Sequence, residues 1–82
     1  MEEKTTIKLL YPIRVNGQEI SEINLRRPKV RDRLAVEKMS ASQGEKEVRF
    51  IANLCEMAPN DIEELDMADY NKIQETVTNF LS

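Results

Sequence analysis

Leu25-Arg26-Arg27-Pro28-Lys29-Val30-Arg31-Asp32 is the stretch that decides how this chain folds. Pro28 has no N–H to give a β-ladder, so the strand that reaches it ends at about Arg27. Helical sequence follows. On the amino-terminal side, Ile7, Leu9, Tyr11, Ile13 and Val15 alternate with Thr6, Lys8 and Arg14, with Leu10 the exception, as one face of a strand requires. Asn16-Gly17 tolerates positive φ at both positions, the condition for a two-residue type I′ hairpin. Val15 then pairs with Gln18, and Ile13 with Ile20. The second strand has its apolar residues at Ile20, Ile23 and Leu25, so its phase slips once. One extra residue at Ser21 or Glu22 would pair Tyr11 with Ile23 and Leu9 with Leu25, which predicts a β-bulge there.

A lone hairpin needs a cover. Helical patterns at 30–39, 43–57 and 67–81 supply it, which predicts one α+β domain over 1–82, with the hairpin at 5–27 packed on three helices. In the first helix Val30, Leu34, Ala35 and Met39 share a side. Ser42 and Glu45 form a capping box for the second. At 100° per residue, Val48, Phe50, Ile51, Ala52, Leu54, Cys55 and Met57 sweep an arc of about 220° on that helix. Lys46, Arg49, Asn53 and Glu56 form its narrow polar side. So broad an apolar arc either packs on two sides or leaves surface for a partner. Pro59 ends the helix, and Asn60 to Leu65 makes room for one short turn capped by Asn60 or Asp61. Asp66 caps the last helix, with Asp69 adding favourable charge near its amino end. Tyr70, Ile73, Val77, Phe80 and Leu81 form its apolar stripe, opposite Lys72, Glu75 and Asn79.

The composition argues against catalysis. The chain has 82 residues, no histidine, one cysteine and two glycines. The usual general base and commonest metal ligand are therefore missing, and neither an internal disulfide nor a phosphate-cradling loop can be built. Cys55 lies among apolar helical positions and reads as a buried thiol. Asp61, Glu63, Glu64, Asp66 and Asp69 lack the spacing and central glycine of a calcium loop. No cofactor or metal is expected. With 40% hydrophobic and 33% charged residues the chain has enough apolar mass for a small core and no membrane span. The start Met1-Glu2-Glu3 is not that of a signal peptide, so a cytoplasmic protein is expected.

Two surfaces are left to carry a function. Arg26, Arg27, Lys29, Arg31 and Arg33 form a basic cluster that could meet phosphates or an acidic protein, although some of these can pair with Asp32 or Glu37. A small nucleic-acid-binding regulator is therefore the alternative reading. Ala41-Ser42-Gln43-Gly44 could even imitate the turn of a helix-turn-helix, but the would-be recognition helix begins Glu45-Lys46-Glu47 and would offer acid to phosphate. The other surface is Phe50, Leu54 and Met57 at the edge of the broad apolar arc, with Met67 and Phe80 as neighbours, suited to accepting an apolar helix. Charge is also divided. Residues 1–38 hold nine basic and six acidic side chains, and residues 39–82 three basic and nine acidic, so the halves carry +3 and −6. A dipolar small protein can associate head to tail.

The order Thr6-Ile7-Lys8-Leu9, Pro12-Ile13, Asn16-Gly17, Ile20 to Leu25 and Leu25-Arg26-Arg27-Pro28 resembles the small tail assembly chaperones of Mu-like and related contractile-tailed phages. Leu65-Asp66-Met67-Ala68-Asp69-Tyr70, followed by an amphipathic helix ending in Phe80-Leu81, is similar to the carboxyl end of the same family. The likeness spans nearly the whole chain. Lys29 stands where the family commonly has threonine, although Asp32 is retained, and Met67 stands where proline often follows the capping aspartate. The resemblance implies a non-enzymatic role in virion morphogenesis, keeping the long tape measure protein soluble until tube subunits polymerise around it. It also implies the host cytoplasm as the place of action and absence from the mature virion. A frameshifted longer form of the same protein and homo-oligomers are further partners it implies, with this chain similar to the short product. Nucleic acid is disfavoured as a partner, and no membrane is expected.

Overall fold

A computed structural model describes residues 4–81. Its elements are β1 (Lys4–Val15), β2 (Gln18–Arg26), α1 (Val30–Glu37), α2 (Gln43–Cys55), α3 (Pro59–Ile62) and α4 (Met67–Phe80). The fold is α+β, an antiparallel two-stranded hairpin followed by helices. Asn16 and Gly17 both have positive φ, 51° and 82°, as the I′ turn requires. The pairs Val15–Gln18 and Ile13–Ile20 form as expected.

Beyond Ile20 the ladder breaks on the other strand. From Lys8–Glu22 onward the partners are Ile7–Ile23, Thr6–Asn24, Thr5–Leu25 and Lys4–Arg26. The bulge therefore belongs to β1, where the four residues Leu9 to Pro12 face the single Ser21, and no extra residue sits at Ser21 or Glu22. Tyr11 is not paired with Ile23, nor Leu9 with Leu25. Tyr11 turns outward with Leu10, while Leu9 stays in the core. Pro12, having no donor, suits a place off the ladder.

Asp69 is the physical reason for this choice. It sits in the first turn of α4, only 1% exposed. Its Oδ1 accepts the N–H of Leu10 at 2.9 Å and its Oδ2 that of Tyr11 at 3.1 Å. Two donors that the bulge removes from the ladder are thus satisfied by one carboxylate from the far end of the chain. Ile7, Leu9, Ile13, Ile23 and Leu25 from the hairpin then meet Ile51, Ala52 and Leu54 of α2, Ile62 of α3, Leu65, and Ile73 and Val77 of α4 in one buried cluster.

Four helix details differ from the sequence expectation. In α1 the buried residues are Asp32 and Val36, whereas Val30 and Leu34 are 77% and 52% exposed and Ala35 is also exposed. The cause is the buried contact between Arg26 and Asp32, which turns the polar Asp32 inward. α2 stops at Cys55, before Pro59, because Glu56 takes the left-handed conformation (φ 57°) and the Met57 N–H bonds the Ala52 carbonyl. Pro59 instead opens α3 at its first position, with Ala58 rather than Asn60 or Asp61 as the cap residue. The last helix ends at Phe80, and Leu81 is exposed. The capping box of Ser42 and Glu45 and the Asp66 cap on Ala68 both form.

The Asp69 clamp generates a first prediction. Asp69→Asn replaces one acceptor with an NH₂ facing a part-buried N–H, and should cost about 1–3 kcal/mol. Urea unfolding should show a lower midpoint with an unchanged slope. A midpoint within error of the parent would show that the bulge holds itself.

Candidate partner-binding surface

The basic cluster does not survive folding as one patch. Arg26 lies at the end of β2, 8% exposed, and its guanidinium donates two bonds to Asp32, Nη1 to Oδ2 at 2.8 Å and Nη2 to Oδ1 at 2.7 Å. Asp32 Oδ2 also accepts the Lys29 N–H at 2.8 Å, which closes the first turn of α1. The side-chain bond from Arg26, with help from the Lys29 amide, holds the Asp32 carboxyl below its ordinary range despite burial. Arg27 reaches the far end of the chain. Its Nη2 donates to the Phe80 carbonyl at 3.1 Å, and its guanidinium lies 5.5 Å from the centre of the Phe80 ring. Arg33 pairs with Glu37 at 3.2 Å on the surface of α1. Lys29 and Arg31 are exposed. Arg26 and Arg27 therefore secure the strand-to-helix junction and tie it to α4; Arg26 is buried away from any phosphate, whereas Arg27 stays exposed beside Phe80.

The apolar trio also divides. Leu54 is 0% exposed and belongs to the core, so it cannot meet a partner on this surface. Met57 is half-buried against the core. Phe50 is half-buried too, but its place is distinctive, because it lines two shallow clefts at once. One, of about 470 Å³, runs between α1 and α2 and is edged by Arg33, Val36, Glu37 and Lys46. The other, of about 210 Å³, runs between α2 and α4, with Ile51, Gln74 and Val77. Glu47 borders both clefts and ties α2 to α4, accepting from the Tyr70 hydroxyl at 3.3 Å and from the Gln74 amide. Burial, with Glu47 adding to it, pushes the Tyr70 hydroxyl up to about 12. Sequence periodicity had placed Phe50 on the apolar arc. It could not show that α1 and α4 stop short of covering it.

The apolar surface that is most exposed lies elsewhere than α2. Leu10 and Tyr11 stand on the bulge, Val30 and Leu34 on α1, Met67 at the start of α4 and Leu81 after its end. Surplus apolar surface is thus present, as the sequence implied, but most of it is carried by the bulge and α1.

Among the described residues no group of three His, Cys, Asp or Glu side chains is placed to hold a metal ion, and no helix is long and apolar enough to cross a membrane. Burial pushes the Cys55 thiol up to about 12, which leaves almost no thiolate at neutral pH.

A family described as phage tail assembly chaperone proteins, E, or 41 or 14, matches residues 6–82. The chain belongs to that family, and its role is that of a tail assembly chaperone. No curated protein and no solved structure matches the chain.

Three predictions come from the junction and the thiol. Because Asp32 has a lowered carboxyl value in the folded state, its contribution is complete above the unfolded carboxylate range near 3.8 and is lost as pH falls below it. Acid unfolding should therefore be less steep in Asp32→Asn than in the parent. Arg26→Met, which strands a buried carboxylate, should cost about 3–5 kcal/mol in urea at pH 7, and adding Asp32→Leu should recover much of that loss. Equal stability of the parent and Arg26→Met would show the pair to be incidental. For Cys55, native protein at pH 7.5 should react with an alkylating reagent far more slowly than urea-unfolded protein, as mass spectrometry would record.

Proposed function

We propose that this chaperone binds the tape measure protein and keeps it soluble until tail tube subunits take its place. A long helical client carries apolar stripes that would aggregate if left bare, and a small globule that offers part of its own apolar surface can cover them reversibly. The position of Phe50 carries the reading. It is a half-buried aromatic ring at the ridge between two clefts, with charged and amide side chains at their rims. A helix laid along α2 would place apolar residues against Phe50 and polar ones against Arg33, Lys46 and Gln74. Shallow clefts favour a modest interface, which displacement by tube subunits requires.

The action is non-enzymatic and takes place in the host cytoplasm, and the chaperone leaves before the particle is complete. Phe50 and Met57 are the contact residues of this proposal, with Phe50 the principal one. The nucleic-acid reading loses part of its support, since Arg26 is buried against Asp32 and Arg27, though exposed, is engaged with the Phe80 carbonyl.

Co-expression of the two proteins tests the proposal. Phe50→Asp should lower the soluble fraction of tape measure protein several-fold, and Phe50→Ala by less, while circular dichroism shows both variants folded. Undiminished client solubility with folded Phe50→Asp would refute the α2 contact.

A further inference from the structure

Glu47 borders both clefts, one turn of α2 before Phe50, and its charge is not neutralised. Its carboxylate accepts from the Tyr70 hydroxyl at 3.3 Å and from the Gln74 amide, and both donors are neutral. It forms no ion pair among the described residues. The residue is exposed, so these bonds face water and can be exchanged for a stronger one. The other charges at the rims are placed differently. Arg33 and Glu37 close on each other, and Lys46 lines only the cleft toward α1. Among the described residues that line the cleft toward α4, Glu47 is the one charged side chain; Gln74 and Thr78 supply the rest of its polar rim.

We infer that Glu47 selects the segment bound: the helix received on Phe50 carries a lysine or arginine one turn from its apolar anchor, and this cation takes the Glu47 carboxylate. The inference rests on the client proposal and adds the chemistry of the bound segment. Glu47 and Phe50 share one face of α2, about one turn apart. A helix lying along α2 presents its own side chains at the same interval. An apolar residue against Phe50 therefore brings the residue one turn away over Glu47. An ammonium or guanidinium there replaces neutral donors with a charge-assisted bond, and a carboxylate there is repelled. Shallow apolar clefts accept many apolar stripes equally well, so the charge beside them decides which helix is held.

Binding of the full chain to overlapping, helix-length peptides of the tape measure protein tests the inference. The parent should capture peptides in which a lysine or arginine stands one turn from a large apolar residue, and Phe50→Asp should lose them. Glu47→Gln keeps a carbonyl acceptor for Tyr70 and Gln74 but removes the charge. It should weaken those peptides about two- to fivefold, with the difference shrinking as salt is added. Glu47→Lys should weaken them at least about tenfold. The same peptides with that cation changed to glutamate should bind Glu47→Lys more tightly than they bind the parent. Circular dichroism of each variant checks that it is folded. Phe50-dependent peptides that bind Glu47→Lys as they bind the parent, or a charge exchange that restores nothing, would overturn the inference and leave the client proposal standing. Absence of any Phe50-dependent peptide would overturn both.

Discussion

Everything in this fold depends on a carboxylate near its carboxyl end gripping two backbone amides near its beginning. Asp69 accepts from Leu10 and Tyr11 with one oxygen each, and it is almost completely buried while doing so. A buried carboxylate is tolerated only where donors satisfy it, and a bulge is tolerated only where its freed amides find acceptors. Each defect cures the other. The result fastens α4 to the hairpin and fixes which side chains of β1 reach the core.

Asp32 repeats the device at the strand-to-helix junction. Like Asp69 it occupies the third position of its helix, is buried, and takes its principal partner from the hairpin, here Arg26. The two aspartates set how α1 and α4 attach to the sheet. Between them α2 supplies Ile51, Ala52 and Leu54 to the core and leaves Phe50 at the surface between the clefts. The polar contacts thus decide which apolar groups remain outside, and those outside groups are what a chaperone has to offer.

Much of this was legible in the residues, and the misreadings have a common cause. Asn16-Gly17, the Ser42–Glu45 capping box and the Asp66 cap are local, so short-range chemistry announces them. The odd spacing from Ile20 to Ile23 against the even spacing along β1 requires a slip by an odd number of residues. It leaves open both the strand and the size of that slip, and Asp69, some 58 residues further on, decides them. The same blindness to distant contacts makes Val30 and Leu34 look like the inner face of α1, because the local pattern gives no sign that the Arg26–Asp32 pair is buried. Leu54 looked like an edge residue for want of knowing where α3 and α4 pack. Family membership was readable from motif order across the chain, and the match over residues 6–82 shows it.

The central claim is that Asp69 holds the bulge as firmly as the core itself is held. Native-state hydrogen exchange of the Leu10 and Tyr11 amides measures this most directly. Both amides lie off the ladder beside exposed side chains, so without the clamp they would exchange as loop amides do. The account predicts protection close to that of Ile23 and Leu25 in the parent protein, lost at these two positions first in Asp69→Asn. Rapid exchange of both amides in the folded parent would contradict it.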